Sequence, residues 1–130
     1  MMLLKAEHMS LEYEIIELDN FTRNLKDFDK HSQKKITEKL KDWLRYEPKR
    51  FSMLIGAIPV LGKKLYGLRH IKIGVSGHKG GAYVLYRVCE ECFENEYWKK
   101  SNLKCQFCDP KKTNRNVLFD VQPRSFDYGR

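Results

Sequence analysis

No stretch of this 130-residue chain approaches the roughly 18 consecutive apolar residues of a membrane span, so a transmembrane helix is excluded. Internal repeats and low-complexity tracts are also missing, which argues against solenoids and disordered linkers. The start, MMLLKAEHMSLEYEIIEL, has no long apolar segment followed by a small-residue cleavage site, so no secretory signal is expected. Structural disulfides are then not expected either, and a cytoplasmic location is the default. Proline is scarce, with four residues in the chain, and cysteine is absent everywhere except between positions 89 and 108.

Charge is abundant. Lysine and arginine outnumber aspartate and glutamate by 25 to 17, giving a formal net charge of +8 and a pI near 9.3. This balance favours an anionic partner, although a solvated basic surface gives the same count. The length suits one domain with one core, spanning residues 1–130. Met1, Met2 and Met9 make residues 1–9 a candidate N-terminal extension.

The apolar pattern sets the order of elements. Residues 13–18 (YEIIEL) are a short apolar-rich opening strand. Asp19 and Asn20 can cap a helix on which Phe21, Leu25 and Phe28 recur at helical spacing. His31 and Ser32 mark a break and a second cap. Ile36, Leu40, Trp43 and Leu44 then line one face of a second helix, which Pro48 stops. Residues 51–61 (FSMLIGAIPVL) form an apolar connection broken by Gly56 and Pro59. Strands follow. Ile71, Ile73 and Val75 alternate with His70, Lys72 and Gly74. Residues 76–81 (SGHKGG) are a glycine-rich turn, residues 82–88 (AYVLYRV) a second strand, and residues 116–121 (NVLFDV) a last one. Helices first and strands after give an α+β domain: two N-terminal helices packed on a small curled antiparallel sheet.

The cysteines follow C-x2-C-x12-C-x2-C at Cys89, Cys92, Cys105 and Cys108. Two such pairs offer four thiolates on two tight turns, and Zn2+ takes four thiolates in a tetrahedron. A structural zinc knuckle over residues 89–108, inserted between the last two strands, is the expectation. Two disulfides or four free thiols are the alternatives. Four protein ligands would leave no open position, so catalysis by the metal is not expected. At the tip of the insert, Trp98 and Lys99 could stack a base and hold a phosphate, or Tyr97 and Trp98 could cover the metal.

With the insert set aside, residues 64–69 (KLYGLR), the glycine turn before Val84-Leu85-Tyr86, and the terminal Arg124-x-x-x-Tyr128 resemble the RelE/ParE toxin superfamily, closest to its HigB-like branch. The resemblance covers most of residues 11–128. It implies a toxin of a toxin–antitoxin pair, neutralised by a cognate antitoxin protein. Many such toxins enter the ribosome and cut mRNA without a metal, the ribose 2′-OH attacking the adjacent phosphate. That reaction needs help for the departing proton, cations for the phosphate charge, and an acid for the 5′-oxygen. Carried onto this chain, the resemblance assigns Arg69 and Arg124 to the phosphate, Lys72 to charge stabilisation or base work, and Tyr128 to base stacking or proton transfer. His78 and Lys79 are weaker RNA-binding candidates from the glycine turn.

Two positions depart from the family pattern. Tyr83 stands where an arginine usually enters the strand, and Gly74 where RelE carries a second lysine. Three readings remain open: an mRNA endoribonuclease, a ParE-like DNA gyrase inhibitor, and a non-catalytic RNA- or ribosome-binding protein.

Overall fold

The computed structural model describes residues 12–50, 52–54, 67–75, 78–100 and 109–123. Its strands are β1 (Glu14–Glu17), β2 (Met53–Leu54), β3 (Arg69–Val75), β4 (His78–Val88) and β5 (Arg115–Pro123). The helices are α1 (Asp19–Leu25), α2 (Lys30–Leu44), α3 (Cys89–Asn95) and α4 (Tyr97–Lys100). The sheet order is β1-β5-β4-β3-β2. Strands β2 to β5 pair antiparallel, while β1 runs parallel to β5 at the edge. The α+β architecture expected from the element order is therefore present, with one parallel edge added.

The parallel edge follows from the connection. Strand β1 feeds directly into α1 and α2, so the helices carry the chain away before any hairpin can form, and β1 finds its neighbour in the last strand. One face of the sheet packs on these helices. Phe21, Phe28, Ile36, Leu40 and Leu44 meet Ile71, Ile73, Val84, Tyr86, Leu118 and Val121 in a single core cluster.

The helix starts differ from the expected caps. Asp19 lies inside the first turn of α1, where its charge favours the helix dipole, and the N-cap is Leu18, which makes no side-chain cap bond. On α2 the cap is Asp29, not His31 or Ser32. Its carboxylate accepts from the Ser32 backbone N–H at 3.2 Å and from the Ser32 hydroxyl at 2.6 Å. At the other end, the Asn116 side chain donates to the Leu44 carbonyl at 2.8 Å, satisfying an orphan acceptor of the last turn.

Residues 78–80, expected in a turn, instead begin β4, and Val75 pairs with His78. Gly81 explains the irregular register there. It sits at φ +81°, and a Cβ at this position would lie 2.3 Å from the Ile73 carbonyl oxygen. Only glycine fits such a bulge. Residues 55–66, most of the apolar connection and the start of KLYGLR, lie outside the described residues.

Candidate functional site

Alternation on β3 and β4 divides the candidates between two faces. Ile71, Ile73, Val84 and Tyr86 point to the helices. His70, Lys72 and Gly74 on β3, with Tyr83, Leu85 and Arg87 on β4, take the opposite face. This second face is closed toward β5, where Leu85, Arg87, Val117 and Phe119 are all buried and the Arg87 guanidinium lies 5.2 Å from the Phe119 ring centroid. It is open along β3, where Lys72 and Gly74 are exposed.

Three side chains gather at the opening. Lys72 pairs across the strands with Tyr83, and its ammonium lies 5.9 Å from the ring centroid. The His70 ring sits 5.0 Å from the same ring, tilted by 35°. Burial, and then the Lys72 charge, push the His70 pKa below the ordinary histidine value, so the imidazole is neutral near pH 7. Its Nδ1 is buried without a hydrogen-bond partner. The aromatic at position 83 thus holds a lysine and a neutral histidine together. Sequence reasoning missed His70, although its spacing of two from Lys72 already placed both on one face.

Arg69, expected to bind phosphate, is otherwise engaged. Its Nε donates to Glu91 Oε2 at 2.8 Å and its Nη2 to Glu91 Oε1 at 2.6 Å. The side chains are 12% and 8% exposed. The remaining Nη1 reaches Ser52 at 3.4 Å. Burial works against the guanidinium charge, but the hydrogen bonds and the Glu91 charge outweigh it, and the net shift is upward. A phosphate would have to displace a bidentate carboxylate to use this arginine.

Glu91 belongs to the cysteine segment. Cys89 and Cys92 are both buried, one turn apart on helix α3 rather than on a tight turn. Position i and i+3 share a helix face, so the two thiols suit one metal ion as neighbouring ligands. Cys105 and Cys108 lie outside the described residues; among the described ones no group of three metal-ligating side chains occurs. Helix α3 is held from two directions. Tyr13 donates to Glu90 at 3.3 Å from the β1 side, and Arg69 grips Glu91 from the β3 side. The next helix, α4, is anchored by close approach: a Cβ on Gly67 would lie 2.4 Å from Tyr97 Cβ.

The other candidates do not join this cluster in the described structure. Lys99 is exposed and pairs with Glu96 at 3.2 Å. Trp98 lies on α4, and His78 and Lys79 lie on β4, but the placement of their side chains is not described. Arg124 and Tyr128 lie outside the described residues. Among the described residues no helix is long and apolar enough to cross a membrane.

No family model matches the chain, and no curated protein matches it. Among solved structures it is similar to a chain of the toxin–antitoxin complex RelBE2 from Mycobacterium tuberculosis. The TM-score is 0.56 at 17% identity, covering 87% of this chain and 99% of that one. At this identity the likeness establishes a shared fold.

Proposed function

We propose that this protein is the toxin of a toxin–antitoxin pair and acts as a ribosome-dependent mRNA endoribonuclease. The observation that carries the reading is the exposed Lys72 beside Tyr83 and His70, on the face left uncovered by helices α1 and α2, in a fold shared with a chain of a toxin–antitoxin complex. The substrate is mRNA on the ribosome, and the neutralising partner is an antitoxin protein that covers this face.

In this reading Lys72 stabilises the charge that builds on the scissile phosphate. Neutral His70 can take the proton of the attacking 2′-OH. Arg124 and Tyr128 complete the site as phosphate clamp and base-stacking group. The four cysteines hold a structural Zn2+ that fixes the insert and takes no part in the reaction.

One observation favours a second reading. With Arg69 locked to Glu91, Tyr83 in place of an arginine and Gly74 in place of a lysine, the face has few cations for transition-state work. A non-catalytic RNA- or ribosome-binding protein needs only the basic surface. Primer extension on an mRNA translated in a cell-free system separates the two. New 5′ ends that require translating ribosomes support the nuclease. Intact message with salt-sensitive ribosome binding supports the binder, and intact message with no binding rejects both.

A further inference from the structure

We propose that Gln122 is a base-reading residue: its carboxamide oxygen, aimed by Asp120, accepts a hydrogen bond from the exocyclic amine of a nucleobase stacked on Tyr83. This deepens the endoribonuclease reading of the open face and rests on it.

The argument begins with strand register. Lys72 on β3 pairs with Tyr83 on β4, and Tyr83 pairs with Gln122 on β5. Residues paired directly across strands present their side chains to the same face. Val121, the neighbour of Gln122, joins the core under the helices, so alternation sends Gln122 to the opposite face. A cation, an aromatic ring and a carboxamide therefore stand in one row across the three central strands. Tyr83 and Gln122 are both half-buried, so each keeps surface that a ligand can reach.

Each member of the row suits one part of a single-stranded nucleotide. An aromatic ring stacks on any base, and a lysine suits the adjoining phosphate. Stacking tolerates every base, whereas hydrogen bonds to base edges discriminate between them. Gln122 can supply such a bond, and its orientation is set. Its Nε2 lies 3.4 Å from both Oδ1 and Oδ2 of Asp120. A carboxylate only accepts, so the amide nitrogen must face Asp120 and the carbonyl oxygen Oε1 faces away from it. Asp120 is itself fixed, accepting from Asn24 at 2.6 Å and from the Val121 backbone N–H at 2.8 Å. An outward carbonyl oxygen selects a donor. Adenine, cytosine and guanine each carry an exocyclic amine. Uracil carries none, and its one N–H on the pairing edge stands between two carbonyl oxygens that repel Oε1. The open face should therefore disfavour uracil at the stacked position.

The test is primer extension across an mRNA translated in a cell-free system, with the base at each position around every cut compared with the composition of the message. We expect uracil to be depleted about threefold or more at one position beside the cut, the worth of one hydrogen bond. Gln122→Met keeps the bulk and removes the acceptor. It should still cut, with uracil back at the frequency of the message. Gln122→Thr is too short to reach the base and carries the same expectation should the first variant fail to fold. Wild-type cuts with no uracil depletion overturn the inference alone, as does depletion that persists in the folded variants. A folded variant that no longer cuts anywhere also overturns it, because Gln122 would then serve the reaction and not the choice of base. If the wild-type protein yields no translation-dependent ends, the endoribonuclease reading falls and the inference with it.

Discussion

Gly67 and Tyr97 approach so closely that no side chain fits between them. A Cβ on Gly67 would fall 2.4 Å from Tyr97 Cβ and 2.7 Å from Cγ, and Gly67 has φ +84°. Both steric room and backbone conformation thus demand glycine where the chain enters β3. Gly67→Ala should cost about 1–2 kcal/mol for the left-handed backbone and about 1–3 kcal/mol for overpacking. Because the nearest atom is Cβ, adding Tyr97→Ala should not relieve the clash. Urea denaturation of the two variants checks this. Wild-type stability in Gly67→Ala would show that α4 does not dock on this glycine.

Tyr86 anchors the same corner from the core. It is fully buried, and its hydroxyl donates to the Pro48 carbonyl and lies 2.6 Å from the Ser52 hydroxyl. Burial pushes its pKa up to about 12, so the hydroxyl stays a donor throughout the physiological range. Tyr86→Phe leaves the Pro48 carbonyl without this donor and should cost about 1–3 kcal/mol. Chemical denaturation that shows no loss would mean that water replaces the hydroxyl.

His70 gives the fold a defined pH dependence. Its folded pKa lies below the unfolded value, chiefly through burial. The unfolded state therefore binds the proton first as pH falls, and stability declines below the ordinary histidine pKa near 6.5 until the folded form also protonates. Asp29 acts in a lower window. Hydrogen bonds from Ser32 depress its pKa, so its contribution is present above the unfolded value and lost as pH falls through the folded one. Replacing His70 with Gln should flatten the fall in thermal midpoint between pH 7.5 and 5.5 and leave the acid limb, below the ordinary carboxylate range, in place. An unchanged slope in the upper window would show that His70 is not the titrating group.

The fold was more legible than the site. The 3.6-residue spacing of Ile36, Leu40 and Leu44 and the alternation of Ile71, Ile73 and Val75 report directly which face is buried, and these residues form the core. Caps were harder to read. Asp29 and Ser32 both qualify by type, and only the geometry of their mutual hydrogen bonds assigns the cap to Asp29. Partnership over long sequence separation carries no local signal. Nothing around Arg69 shows that Glu91, 22 residues on, will occupy its guanidinium. His70 is the converse case. Its face was readable from parity, but its stacking on Tyr83 depends on strand register.

Gly74 offers a gain-of-function test of the open face. It is exposed on β3, two residues from Lys72, and a Cβ built there meets no atom within 4 Å. A lysine at this position would therefore project beside Lys72 without displacing anything. It would also remove a glycine from a strand interior, stabilising the fold by roughly 0.5–1 kcal/mol. If the open face binds RNA, Gly74→Lys should tighten binding and steepen the dependence of log K on log salt by about one ion. Lys72→Ala should weaken binding and flatten the slope by a similar amount. Titration of a fluorescent mRNA fragment across a salt series measures both. Opposite changes in slope would place the nucleic acid on the Lys72 face. If neither slope moves, RNA is held elsewhere on this basic protein, and the Lys72–Tyr83–His70 cluster loses its claim to be the site.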